Sequence, residues 1–132
     1  MSKTKIMIVD DDPLARRLMR DSLRRADADY DVVEADKGVL ALELIGYERP
    51  DLVLLDITMP GVGGIPVCNE MKRNPATRNV KIIIVSAHSD SDFIGAALDA
   101  GASAYVVKPF RPEELRHNVR RVLGAHQESA LT

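Results

Sequence analysis

The chain has no tryptophan, a single cysteine and an aromatic content of only 4%. One thiol, Cys68, excludes an internal disulfide and fits a reducing compartment. Lying among helix formers, it reads as a small buried hydrophobe rather than a nucleophile. No apolar run approaches the roughly 20 residues that span a bilayer, and the polar start MSKTK has no signal-peptide pattern. The net charge of −2 argues against a chain built mainly to hold nucleic acid or an anionic membrane. Basic residues cluster only in ARRLMRDSLRR and LRHNVRR, which read as solvated helix faces. The cysteine and histidine clusters of a zinc site are missing too: His88, His117 and His126 are scattered and read as surface positions. What remains is a soluble composition, 45% apolar and 29% charged over 132 residues, enough for one domain and one core. The cytoplasm is the expected compartment.

The chain alternates between two patterns. Short β-rich apolar runs recur at 5–9 (KIMIV), 30–35 (YDVVEA), 52–55 (LVLL), 81–86 (KIIIVS) and 104–107 (AYVV). Between them lie segments of helical period at 13–27, 37–48, 64–74, 90–100 and 112–124. In the first of these Leu14, Leu18, Met19 and Leu23 make one stripe, with Arg16, Arg17, Arg20 and Arg24 facing away. Asp12 before Pro13 predicts an N-cap with proline at the first helical position. Asp90 can cap the fourth helix, and Gly101 and Gly124 stand where helices should end. Five strand-then-helix repeats with continuously apolar strands predict a doubly wound, five-stranded parallel α/β sheet with helices on both faces. The domain covers 1–124 and a polar tail 125–132. No internal repeat, low-complexity tract or interdomain linker is visible.

In such a sheet the binding crevice lies beyond the carboxyl ends of the strands. There stand Asp10, Asp11 and Asp12 after the first strand, Asp56 after the third, Ser86 at the end of the fourth and Lys108, before Pro109, after the fifth. Carboxylates gathered this tightly need a cation, and an all-oxygen set with waters favours Mg²⁺. An aspartate beside such an ion and a lysine can attack a phosphoryl group and form an aspartyl phosphate. The residues alone leave the choice of nucleophile open.

The blocks IVDDDPLARRLM, VLLDITMPGVGG, IIIVSAHSD and GASAYVVKPF, in this order and spacing, resemble the signature blocks of receiver domains of bacterial two-component response regulators. The resemblance runs from about Lys5 to Leu123. It implies a flavodoxin-like strand order, 2-1-3-4-5, and a phosphoacceptor, Asp56, served by a sensor histidine kinase or histidine phosphotransfer protein. It implies that Asp11 binds Mg²⁺ directly, Asp10 through water or weakly, and that Asp56 and the backbone carbonyl of Thr58 complete the protein's share of the metal shell. Lys108 would contact the phosphoryl group, across a cis peptide to Pro109. Ser86 and Tyr105 match the switch pair: the hydroxyl moves toward the phosphate, the aromatic ring turns inward, and the surface of helix 4, strand 5 and helix 5 changes its affinity for a downstream effector. Thr58 and His88 side chains would border the entry to the phosphate. On this reading the protein is a phosphoacceptor that assists its own phosphorylation and dephosphorylation, not an enzyme, and it contacts neither nucleic acid nor membrane directly.

Each residue also has a plainer reading. Asp12 serves better as an N-cap than as a third ligand. Tyr105 alone would be a half-buried strand residue with a wet hydroxyl. In MPGVGG, Pro60-Gly61 reads as a tight turn and Gly63-Gly64 as a flexible lead into the third helix. A rival reading makes the chain a haloacid-dehalogenase-type phosphatase, with Asp10 as nucleophile and Asp12 as acid/base. It leaves Asp56 without a role and meets Leu14 where that motif needs Thr or Val. A third reading is a receiver-like binding module without phosphorylation, which a missing acid, acceptor or lysine would favour. The expected output is protein contact by a stand-alone regulator, the alternative being the receiver of a longer regulator, with a phosphorylation-dependent homodimer as a further expectation from the resemblance.

Overall fold

The computed structural model describes residues 3–25 and 29–131, with side chains described as far as Gly124. Ten elements alternate along the chain: β1 (Lys5–Val9), α1 (Pro13–Arg24), β2 (Asp31–Ala35), α2 (Gly38–Glu48), β3 (Leu52–Leu55), α3 (Gly64–Arg73), β4 (Lys81–Ser86), α4 (Ser91–Asp99), β5 (Ala104–Val107) and α5 (Pro112–Leu131). All strand pairs are parallel and their order is β2-β1-β3-β4-β5. The doubly wound sheet expected from the alternation is therefore present, in the strand order that the resemblance implies.

Period-two alternation divides each central strand between two cores. Met7, Val9, Val53, Leu55, Ile82 and Ile84 point to one side, where Ala41, Ile45, Val67, Cys68, Met71 and Ala97 from α2, α3 and α4 cover them. Ile6, Ile8, Leu52, Leu54, Ile83 and Val85 point to the other, against Met19 and Leu23 of α1 and Leu115 and Val119 of α5. Both faces are thus dry, which is why LVLL and KIIIV carry no polar alternation. Truncating one of these fully buried Leu or Ile side chains to Ala costs about 2–5 kcal/mol. Cys68 is a free, buried thiol, its pKa pushed up to about 11 by burial, so it packs and does not react.

The expected caps form. The Asp12 carboxylate accepts the Leu14 N–H at 3.0 Å, with Pro13 opening α1. Asp90 accepts the N–H groups of Asp92 and Phe93 at 2.9 and 3.1 Å. Gly61 takes φ = 77°, the left-handed conformation that suits glycine at the Pro60-Gly61 turn.

Three expectations are corrected. The buried face of α1 is Ala15, Met19, Ser22 and Leu23, while Leu14 and Leu18 are 61% and 51% exposed. An i, i+4, i+7, i+8 face containing small residues seats the helix close to the sheet, and the Ser22 hydroxyl is satisfied by donating to the Leu18 carbonyl at 2.7 Å. Second, Arg16 and Arg20 do not simply face water: both donate to the Glu34 carboxylate of β2, at 3.1 and 2.7 Å. Third, α5 does not stop at Gly124 but runs to Leu131. A helical glycine costs about 1 kcal/mol and need not end a helix whose following residues are good helix formers. No described helix is long and apolar enough to cross a membrane.

Candidate functional site

Strand register brings the chemistry together. Val9 pairs with Leu55, Leu55 with Ile84 and Ser86 with Val107, so β1, β3, β4 and β5 end nearly level. The ladder continues one residue past the strands: Asp56 N–H donates to the Val9 carbonyl at 3.0 Å and Lys108 N–H to the Ser86 carbonyl at 2.8 Å. Asp10 and Ser86 are fully buried and Asp56 nearly so, while Asp11 is exposed.

Among the described residues, Asp10, Asp11 and Asp56 each offer a carboxylate oxygen, and the three oxygens lie within 4.8 Å of one another. The Lys108 ammonium donates to Asp10 Oδ2 at 2.6 Å and to Asp56 Oδ2 at 3.4 Å. Three carboxylates against one ammonium leave a deficit of two positive charges. An all-oxygen, doubly negative cluster with one wet edge at Asp11 fits a hard divalent cation.

The electrostatics follow from burial. Desolvation pushes the Asp10 carboxyl up, against the lowering effects of Lys108 and the Asp12 N–H, and the Asp56 charge adds to the rise. For Lys108, burial pulls the ammonium down, but hydrogen bonds to Asp10 and Asp56 and their charges raise it overall. Lys108 therefore remains a cation, lodged where negative charge is densest. The Lys108–Pro109 peptide is cis, as the resemblance led us to expect.

Local backbone holds these groups still. The Asp12 N–H donates to Asp10 Oδ1 at 3.0 Å and the Thr58 N–H to Asp56 Oδ1 at 3.2 Å. Arg16 Nη1 donates to the Asp10 carbonyl at 2.7 Å, which ties α1 to the end of β1. Asp12 itself caps α1 and stands outside the carboxylate trio. Gly64 is a close-approach position rather than a flexible one: a Cβ there would lie 2.3 Å from the Asp56 carbonyl oxygen.

The expected switch pair adjoins the cluster. Ser86 Oγ accepts the His88 N–H at 3.3 Å, and the Tyr105 hydroxyl donates to the His88 carbonyl at 2.6 Å. Burial pushes the Tyr105 phenol up, opposed by the Ser86 hydroxyl and aided by the charges of Asp56 and Asp90, so it stays a donor. Thr58, exposed on the loop after β3, meets the His88 ring: its Oγ1 lies 2.7 Å from Nε2. The His88 ring also stacks on Phe93, with centroids 4.2 Å apart. Two partners escaped the sequence reading. Arg16 looks like a solvent-facing arginine and Phe93 like an apolar residue of its helix; for His88, the resemblance implies a place at the entry to the phosphate.

Comparison with known proteins agrees with this geometry. The family model described as "Response regulator receiver domain" matches residues 6–120. Sporulation initiation phosphotransferase F of Bacillus subtilis is 36% identical over 123 residues, covering 93% of this chain and 96% of that protein. A probable transcriptional regulator, ycf27, of Porphyridium aerugineum is 39% identical over 123 residues, but the match covers only 49% of it. The chain spans about half the length of several curated relatives it matches. Among solved structures, a putative response regulator from Chloroflexus aurantiacus superposes with a TM-score of 0.87 at 32% identity, over 93% of this chain and 99% of that one.

Proposed function

This chain belongs to the response regulator receiver domain family of two-component signalling, and from that premise we propose that Asp56 is its phosphoacceptor. The observation that carries the reading is the Lys108 ammonium shared between Asp10 and Asp56 inside a trio of converging carboxylates. A sensor histidine kinase or histidine phosphotransfer protein supplies the phosphoryl group. An Asp56 oxygen attacks phosphorus, the new P–O bond forms as the P–N bond breaks, and the imidazole leaves with the electron pair.

Such transfer is chiefly positioning and charge neutralisation. Lys108 offsets negative charge on the transferred oxygens, and Asp10 positions that ammonium. The Thr58 N–H and the Ser86 hydroxyl supply hydrogen bonds. Asp10, Asp11, Asp56 and the Thr58 carbonyl would hold Mg²⁺, which contributes the remaining positive charge. Phosphorylation adds about −1.5 to −2 charge and new acceptor oxygens. Ser86 is drawn toward them, and with Tyr105 it biases the α4–β5–α5 surface for an effector protein or domain, or for a second copy of the chain. The protein acts in the cytoplasm and is a phosphoacceptor that assists its own loading and unloading, not an enzyme with a separate substrate.

The exposure of Leu14 and Leu18 fits this reading. With Pro109, Phe110 and Pro112 they line a cavity of about 470 Å³ that also borders Asp12 and Lys108. An apolar seat that reaches Lys108, itself bonded to Asp56, suits a donor protein that must bring its phosphohistidine to that acceptor.

The test is intact mass after incubation with Mg²⁺ and acetyl phosphate. Wild type should gain one phosphoryl group, lost when EDTA is added first, and Asp56→Asn should gain none. A label that survives Asp56→Asn but vanishes in Asp10→Asn would move the chemistry to β1 and restore the phosphatase reading.

A further inference from the structure

Four elements meet at one loop residue. His88 lies between the end of β4 and the Asp90 cap of α4, flanked by exposed Ala87 and Ser89. Its N–H is on Ser86, its carbonyl receives Tyr105 of β5, its ring nitrogen meets Thr58 of the β3–α3 loop, and its ring lies on Phe93 in the first turn of α4. A short surface loop with exposed neighbours is ordinarily free to shift; here one residue is fixed from four directions. The Phe93 N–H is itself bound to Asp90 Oδ1, so the first turn of α4 moves with its cap.

We propose that His88 is a positioning residue, its ring anchored on Thr58 and Phe93, which holds the carbonyl where Tyr105 docks and links the acceptor site to α4. The proposal deepens the acceptor reading above and rests on it. The connection is continuous. Thr58 donates its N–H to Asp56 Oδ1 and meets His88 through its hydroxyl, so a displaced Asp56 carboxylate displaces Thr58 and pulls on the imidazole. The ring then acts in two directions: through Phe93 on α4, and through its own carbonyl on the Tyr105 hydroxyl. This is a physical chain of contacts rather than spatial proximity alone. It also gives the two loops a reason to move together, because the Thr58–His88 hydrogen bond spans the side of the site between β3 and β4.

The chain's three tyrosines, Tyr30, Tyr47 and Tyr105, allow a direct test. The protein is labelled with 3-fluorotyrosine and its fluorine spectrum recorded with Mg²⁺, with and without beryllofluoride, Tyr30→Phe and Tyr47→Phe providing assignments. Bound beryllofluoride has its own fluorine signal, so acceptor-site occupancy is read in the same tube. In His88→Ala and in Phe93→Leu the Tyr105 signal should move from its wild-type position, with Tyr30 and Tyr47 unmoved as a check on folding. Thr58→Val should shift Tyr105 in the same direction, and should add nothing in a His88→Phe background, where the ring can stack but no longer bond. Beryllofluoride bound, yet Tyr105 unmoved in His88→Ala, would overturn the proposal. A shift in His88→Ala with Phe93→Leu like wild type would overturn the link to α4. Absence of any bound-fluoride signal in wild type would refute the acceptor reading itself, a separate result.

Discussion

The carboxylate trio makes a quantitative demand on divalent cations. Oxygens within 4.8 Å repel by about 3.5 kcal/mol or more per pair at an effective dielectric near 20. One ammonium offsets part of this. The folded chain should therefore bind Mg²⁺ where the unfolded chain does not, and native-only binding stabilises by RT ln(1 + [Mg²⁺]/Kd). Above Kd, each tenfold rise in Mg²⁺ adds about 1.4 kcal/mol whatever the Kd. For 132 residues, at about 2.1 cal/mol/K of unfolding entropy per residue, that is a rise in Tm of about 5 °C per decade. The assay is thermal melting followed by circular dichroism across three decades of Mg²⁺, with ionic strength held constant by KCl. Monovalent salt should not substitute, because the oxygens lie well inside a Debye length of about 10 Å. Asp11→Asn is the informative variant: Asp11 is exposed, so its loss should raise Kd and move the onset of the Tm rise to higher Mg²⁺ without damaging the core. A wild-type Tm indifferent to Mg²⁺, or an onset unmoved in Asp11→Asn, would refute the reasoning.

Two other perturbations separate packing from charge. Gly64→Ala should cost about 1–3 kcal/mol in urea melts, because backbone must shift to admit the new methyl, and should impair acetyl phosphate labelling by moving Asp56. Gly46→Ala on α2, where a Cβ meets nothing within 4 Å, should instead stabilise by about 0.5–1 kcal/mol; equal effects at the two sites would defeat the close-approach account. In EDTA, Asp10→Asn should gain on wild type as pH rises from the ordinary carboxyl value towards the raised folded one. The sign follows from its raised folded pKa: above the ordinary 3.8 the folded protein keeps a proton that the unfolded chain has lost. Wild-type stability therefore falls through that window, a loss the amide does not suffer. A stability gap independent of pH would show that burial does not burden Asp10.

The architecture was legible because its causes are local or periodic. Continuous apolar runs report burial on both faces, five alternations report crossovers, and crossovers put every strand's carboxyl end on one edge. Asp10, Asp11, Asp56, Ser86 and Lys108 could therefore be gathered from strand limits alone. The face of α1 could not, because Ala15 and Ser22 carry no strong hydrophobic signal; what selects them is their small size against the sheet. Leu14 and Leu18 follow the same helical period one position away, and only the packed sheet distinguishes the two faces.

The harder part was contact between residues whose types say nothing of each other. Glycine in GVGG suggests freedom equally well as close approach, and only the position of the Asp56 carbonyl decides that Gly64 is needed for the absence of a side chain. Arg16 looks like any helix-surface arginine until Glu34 of β2 and the Asp10 carbonyl are found within its reach. His88 is the sharpest case. The resemblance implies for it a place at the entry to the phosphate, yet its four contacts come from residues 2, 5, 17 and 30 positions away. A residue's chemistry at such a junction is set by what the fold brings to it, which is why the acceptor cluster could be read from strand ends and its connection to α4 could not.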